Sequence, residues 1–311
     1  ATSEEHSLAN GEVRFERAGQ LEIAVPVRLS ALTGRNDSEL IVQLAGVGNF
    51  GAQNSHSIGI REGNIAPSVS LQLQQNGVIT SLIAADGGLV TAAAIVTDAN
   101  SGDSHSFSWR AGASLGDSDG DDTDGSFSFD PAALSGSHQL HVTATDSAGA
   151  SAESSASFRV VAALPQLSSA QDSDDDGIDD ASEGTADSDG NGIPDYLDNM
   201  PSSNILPQVG SQTRAYLVEC DPGVRCGLGL FALSGNSGGV QIFNEELGNS
   251  GQPVIDPAFE PVGGVFDFAI RDLPTPGQSV RVVLPQRAPI PAAAGPMSST
   301  SSSSISAPSI R

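Results

Sequence analysis

Leu140-His141-Val142-Thr143-Ala144-Thr145-Asp146-Ser147-Ala148-Gly149 decides the fold. Apolar Leu140, Val142 and Ala144 alternate with polar His141, Thr143 and Thr145, the period of two that puts one face of a strand on a core and the other in water. The Asp-Ser-Ala-Gly run that follows is turn chemistry, so the strand ends there and the chain doubles back toward Phe158 and Val160. Working outward, the same alternation appears at Val69, Leu71, Leu73, at Val90, Ala92, Ala94, Val96, and at Phe107, Trp109. Turn-forming clusters separate these runs at the spacing of a β-sandwich. Residues 66–163 therefore read as one antiparallel sandwich, with Trp109 in its core.

The pattern continues on both sides. Val13, Phe15, Leu21, Ile23, Val25, Val27 and Leu29 alternate within residues 1–65, which read as a partial β-sandwich. Within residues 204–295 the pairs Tyr216/Val218, Leu228/Leu230 and Val240/Ile242 alternate, as do Phe266, Phe268, Ile270 and Val280, Val282, Leu284. Residues 296–311 are a Ser-rich tail of low complexity. The expected fold class is all-β: tandem antiparallel β-sandwich modules joined by an acidic, calcium-binding loop segment at 164–203.

Composition narrows the partners. The 311 residues carry 38 acidic and 13 basic side chains, a formal charge of −25, and every basic residue is arginine. Without lysine, a phosphate-loop ATPase, a pyridoxal Schiff base and a lysine-built isopeptide are excluded. So negative a chain does not fit a nucleic-acid backbone or an anionic membrane surface, and it favours cations. No apolar run approaches the roughly 18 residues of a membrane span. The start at Ala1 without Met is expected of a processed or excised fragment. Few cysteines, many Asp, Ser and Gly and no lysine are expected of an exported bacterial protein, outside the cell or on its surface.

Asp172-Ser-Asp174-Asp-Asp176-Gly177-Ile178-Asp-Asp180-Ala-Ser-Glu183 matches the twelve-position calcium loop D-x-D-x-D-G-x5-E at every fixed position. Calcium takes six to eight oxygens at about 2.3–2.6 Å, which requires the chain to wrap the ion. Asp172, Asp174 and Asp176 supply carboxylates, Ile178 its carbonyl, Asp180 the ninth position, Glu183 a closing carboxylate, and Gly177 the sharp turn. Fifteen residues on, Asp187-Ser-Asp189-Gly-Asn191-Gly192-Ile193-Pro-Asp195-Tyr-Leu-Asp198 repeats positions 1, 3, 5, 6 and 7, with Asp198 in the closing place. Asp187, Asp189, Asn191, Ile193, Asp195 and Asp198 are its candidate ligands. Leu164-Pro165 upstream and Pro194 inside the second loop oppose long flanking helices.

These segments carry resemblances. Thr97–Asp103, Phe107-Ser108-Trp109, Phe127–Pro131 and Val142–Gly149 resemble PKD and related immunoglobulin-like repeats of bacterial surface proteins, which implies a spacer or adhesive sandwich. Residues 1–65 are loosely similar to Calx-β modules. The tandem acidic loops resemble thrombospondin type 3 repeats, which implies calcium ions forming the core of a segment with little apolar core. Tyr216–Glu219, Pro222–Arg225, Gly263–Ile270, Leu273–Gln286 and Pro289-Ile-Pro291 are similar to bacterial choice-of-anchor β domains of U type, which implies export. The chain departs from that pattern near Ala294.

Weaker signals have plainer readings. Gly235-Asn-Ser237-Gly-Gly239 is similar to the nucleophile segment of chymotrypsin-like proteases but lacks a recognisable His and Asp context, so a β-turn is expected. His138 and His141, three apart, face opposite sides of a strand and make a poor metal pair. Asp117-Ser-Asp119-Gly-Asp121-Asp122-Thr-Asp124-Gly125 begins like a cation loop without completing it; a weak cation site and a solvated hairpin tip are both open. Cys220 and Cys226 are expected to form a disulfide across a hairpin, with Pro222, Gly223 and Val224 as a three-residue turn.

No catalytic constellation emerges. The expected function is that of a calcium-stiffened extracellular structural or adhesive surface protein, including a fibre or matrix subunit, with calcium and either itself or matrix components as partners. A strand edge at 11–30 or 266–284 is open to accept a neighbour's strand. The alternatives are a non-catalytic accessory region of a larger secreted hydrolase and a carbohydrate-binding module.

Overall fold

The computed structural model describes residues 6–8, 27–29, 38–43, 55–60, 63–100, 102–112, 115–118, 120–121, 123–210, 216–248, 264–274 and 278–285, the first four stretches as backbone only. The chain divides into two compact units, residues 1–65 with 98–103, and residues 66–97 with 104–311.

The first unit contains β1 (His6–Leu8), β2 (Val27–Leu29), β3 (Ser38–Gln43) and β4 (Ser55–Ile60), paired antiparallel as β1 with β2 and β3 with β4. Most of the segment read as Calx-β-like lies outside the described residues, as do the 296–311 tail and the Pro289–Pro291 part of the anchor-like reading.

The second unit begins with β5 (Ser68–Gln75), β6 (Val78–Ile79), β7 (Leu82–Ala84), β8 (Val90–Thr97), β9 (His105–Ala111), β10 (Ser126–Phe129), β11 (Gly136–Asp146) and β12 (Ser151–Val161). They form two four-stranded sheets in the orders β10-β8-β5-β6 and β7-β12-β11-β9. The inward residues of both sheets make one core: Leu73, Val90, Phe127 and Phe129 from the first, Ile83, Trp109, Leu140 and Phe158 from the second. Trp109 is buried there, and its indole N–H donates to the Asp124 carbonyl at 2.9 Å. His138 stacks on Phe158, while His141 meets Gln139 on the outer face.

Turns are built as their residues require. Asn76 and Gly77 both have positive φ (52° and 84°), the conformation of a tight type I′ hairpin between β5 and β6. The Asp146 carboxylate accepts from Ala148 and Ala150 N–H and closes the β11–β12 turn. One pairing departs from the antiparallel expectation: β7 runs parallel to β12. Buried Gln75 explains how β7 leaves the sheet of its predecessors. Its amide donates to the Ala84 carbonyl and accepts from Ala84 N–H, both at 2.9 Å, satisfying the backbone where the chain crosses between sheets.

Beyond the sandwich come a single helical turn, α1 (Asp180–Glu183), and a 3-10 turn at Asp195–Leu197. Then follow β13 (Ile205–Pro207), β14 (Leu217–Cys220), β15 (Arg225–Leu228), α2 (Leu230–Ser234), β16 (Gln241–Ile242), β17 (Val265–Phe266), β18 (Phe268–Arg271) and β19 (Val282–Val283). These form small sheets β13-β14-β19, β15-β18 and β16-β17 around a second core that includes Ile193, Leu206, Val218 and Val240.

Two details differ from the sequence reading. Leu230 starts a short helix rather than continuing a strand, because the Asp267 carboxylate accepts from Phe231 and Ala232 N–H at 2.7 and 3.0 Å and caps that turn. Cys220 and Cys226 form a disulfide, yet not across a hairpin ladder: β14 pairs with β13 and β19, and β15 pairs with β18, so the bridge links two sheets. Val224 is buried in the second core, which draws the turn inward and parts the two strands.

Phe158→Ala removes a fully buried ring 5.3 Å from that of Phe129. It is expected to lower stability by about 3–5 kcal/mol, read from denaturant unfolding followed by Trp109 fluorescence. A loss under about 1 kcal/mol would contradict a core shared by the two sheets.

Candidate metal centre

The two acidic loops share a backbone-to-side-chain hydrogen-bond scheme. At position six, Gly177 and Gly192 N–H each donate at 3.0 Å to the position-one carboxylates of Asp172 and Asp187. At position five, Asp176 and Asn191 N–H donate to the position-three carboxylates of Asp174 and Asp189 at 3.1 and 3.0 Å. At position seven, Ile178 and Ile193 N–H donate at 2.7 Å to the side-chain oxygens of Asp176 and Asn191. The glycines make this possible, with φ of 100° and 96°, a region that L side chains rarely enter. Backbone N–H groups thus fix the acidic side chains of both loops in the same orientation.

In the first loop, carboxylate oxygens of Asp172, Asp174 and Asp176 lie within 4.8 Å of one another. Asp174 is fully buried, and its Oδ2 accepts no hydrogen bond. Burial, then the neighbouring Asp176 and Asp172 charges, raise the Asp174 carboxyl. Glu183 stands on α1, whose N-terminus is capped by the Asp179 carboxylate accepting from Ser182 N–H. Burial and the charges of Asp174, Asp176, Asp172 and Asp180 push Glu183 up to about 7, and its Oε2 is buried without a hydrogen-bond partner. Such carboxylates are held at a cost unless a cation joins them.

In the second loop, Asp187 is buried, its Oδ1 accepts no hydrogen bond, and burial is the chief cause raising its carboxyl. Asp189 is pushed up to about 7 by burial and by the Asp198 and Asp187 charges. Asp198 is pushed up to about 6, chiefly by burial. Asn191 Nδ2 donates to Asp198 at 2.7 Å and to Asp189 at 3.2 Å, so the shorter closing Asp does reach the loop interior.

Two candidate ligands also brace their loops. Asp180 accepts from Ser173 N–H and hydroxyl at 2.7 and 2.8 Å, and Asp195 accepts from Ser188 N–H and hydroxyl at 2.8 and 2.6 Å. Both oxygens of each carboxylate accept a hydrogen bond, so the ninth position also braces the loop. Ser173 and Ser188 are the partners the sequence reading missed; the signal was the serine repeated at position two of both loops. The remaining oxygens suit calcium: Asp172, Asp174, Asp176, the Ile178 carbonyl and Glu183 in the first loop, and Asp187, Asp189, Asn191, the Ile193 carbonyl and Asp198 in the second. The copies differ at position seven, where the Ile178 side chain is 50% exposed and Ile193 is 3% exposed in the second core.

Other signals resolve locally. Buried Ser237 Oγ donates to the Gly239 carbonyl and accepts from Gly239 N–H, bracing a turn. In the third acidic loop Asp117 accepts from Ser128 N–H and Asp124 from Ser126 N–H; Asp119 and Asp122 lie outside the described residues. Among the described residues no helix is long and apolar enough to cross a membrane. No protein-family model, no curated protein and no solved structure matches the chain.

Ser188→Ala removes the hydroxyl brace while leaving every inward oxygen in place. It is expected to weaken calcium binding at the second loop by about tenfold, the usual scale for outer-sphere support, read by calorimetric titration. Unchanged affinity would mean that the brace does not position the loop.

Proposed function

We propose that residues 172–198 bind two calcium ions and that the chain is a calcium-stiffened structural or adhesive component of an exported bacterial surface protein, serving as a fibre or matrix subunit. The observation that carries this reading is the repeated hydrogen-bond scheme, which in the first loop gathers the Asp172, Asp174 and Asp176 carboxylates within 4.8 Å of one another. The resemblance to thrombospondin type 3 repeats points the same way, and the formal charge of −25 suits a cation-rich exterior.

The mechanism is charge neutralisation. Eleven acids crowd residues 172–198 without a base, and cation binding replaces their repulsion with shared coordination. At calcium concentrations ten times a Kd of about 0.1–1 mM, each site gains about 1.4 kcal/mol. Thr80 Oγ1 donates to the Thr185 carbonyl, and Leu228 N–H donates to the Asn191 carbonyl, so the loops meet both cores of the second unit. Stiffening therefore acts between the sandwich and the C-terminal sheets. Ser237, His138 and His141 are engaged locally, and no catalytic role is assigned to them.

Calorimetry with small-angle scattering, in EGTA and in about 2 mM calcium, tests the proposal. Two bound ions with a narrower, more compact distance distribution are expected, and Asp174→Asn with Asp189→Asn should abolish both effects. Absence of calcium binding would leave residues 172–198 as a solvated acidic segment and overturn the reading.

A further inference from the structure

The two loops share a scheme but not a setting. In the first, Asp172, Asp176 and Ile178 are exposed to solvent. In the second, Asp187 is 4% exposed and Asn191 is fully buried. The second loop is walled in from two sides. Toward the sandwich, Asp187 N–H donates to the Ile79 carbonyl at 3.1 Å, and the Thr80 hydroxyl donates to the Thr185 carbonyl at 2.7 Å. Toward the C-terminal sheets, Leu228 N–H donates to the Asn191 carbonyl at 2.7 Å, and a Cβ on Gly192 would press on Leu228.

Behind the loop stand two of the chain's 13 basic residues. Arg271, on β18, donates from Nη2 to Ser157 Oγ of β12 at 3.0 Å, reaching from one core to the other. Arg225, on β15, pairs with Asp272 at 3.1 Å, and its guanidinium lies against Gly190. Both charges are felt by the loop: Arg225 lowers the Asp187 and Asp189 carboxyls against their burial, and Asp187 favours charged Arg271. Ser81, Ser154, Asp187, Arg225 and Arg271 line a cavity of about 50 Å³ at this junction, room for about three water molecules. The junction between the two apolar cores is thus polar and charged, with the second loop as its centre.

We propose that the two loops are different kinds of cation site. The second holds a locked structural calcium that leaves only when the C-terminal sheets part from the sandwich, and the first is a surface site that exchanges directly with solvent. This rests on the calcium reading of the loops. The physical reason is access. An ion at Asp187 and Asn191 is covered by the walls described above, so the free energy of opening those hydrogen bonds adds to its dissociation barrier. An ion held by Asp172, Asp174 and Asp176 carries no such addition. The arginines also offset the acids of the second loop, which keeps the junction closed during exchange at the first.

The test is calcium release from the intact, calcium-loaded chain into excess fluorescent chelator, followed by stopped flow. Two phases are expected, the slow one at least about a hundredfold slower than the fast. Asp172→Asn should remove or further speed the fast phase alone. Ser157→Ala, which touches no inward oxygen, should accelerate the slow phase about tenfold by freeing Arg271 and leave the fast phase unchanged. Thr80→Val, cutting the other junction tie, should do the same and serves if Ser157→Ala folds poorly. A single rate for both ions, a slow phase that belongs to the first loop, or a slow phase indifferent to both junction variants would overturn the proposal while leaving calcium binding intact. Absence of any bound calcium would sink the underlying reading and this one with it.

Discussion

Crowding of carboxylates in residues 172–198 is the constraint around which the second unit is arranged. Eleven acids and no base occupy that stretch, and several of their oxygens are buried. The chain meets this locally, by turning backbone N–H groups onto positions one, three and five of each loop, and by tying the ninth-position carboxylate to a serine. Each N–H to carboxylate contact is a charge-assisted hydrogen bond, stronger than a neutral one. One buried oxygen each of Asp174, Asp187 and Glu183 has no hydrogen-bond donor.

That constraint also shapes what surrounds the loops. The sandwich and the C-terminal sheets have separate apolar cores, and what joins them is the acidic segment with its serines and arginines. Apolar burial dominates inside each core; between them, direction comes from hydrogen bonds and charge. Arg271 is half-buried and pushed down to about 10, chiefly by desolvation, with Asp187 and Asp272 opposing that fall. A buried arginine is tolerable only with such partners. Ile193 fastens the second loop into the C-terminal core, whereas Ile178, its counterpart, meets solvent. A shared loop pattern thus yields one embedded loop and one more exposed loop.

The C-terminal sheets show how distant residues redirect local preference. Leu228 and Leu230 alternate as a strand would, yet the chain turns into a helix at Leu230 because Asp267, far along the sequence, captures two amide groups there. The disulfide follows the same logic. Pro222 and Gly223 make a turn, but burial of Val224 sends the following strand to pair with β18 instead of folding back on β14.

The amino-acid sequence by itself determined the all-β class, the strands around Leu71, Ala92, Phe107, Val142 and Phe158, the core placement of Trp109 and the two twelve-position loops, because each is recorded in local pattern: side-chain alternation, turn chemistry, glycine at position six. Even the serine brace was present in the sequence as a repeated residue at position two. Only the tertiary structure decided that β7 joins β12 in parallel, that the disulfide links two sheets, and that the acidic segment packs between two cores. It alone brought Arg225 and Arg271 to the second loop. Those outcomes rest on partners many tens of residues apart, chosen by which buried polar groups could be satisfied together, and no local periodicity records that choice.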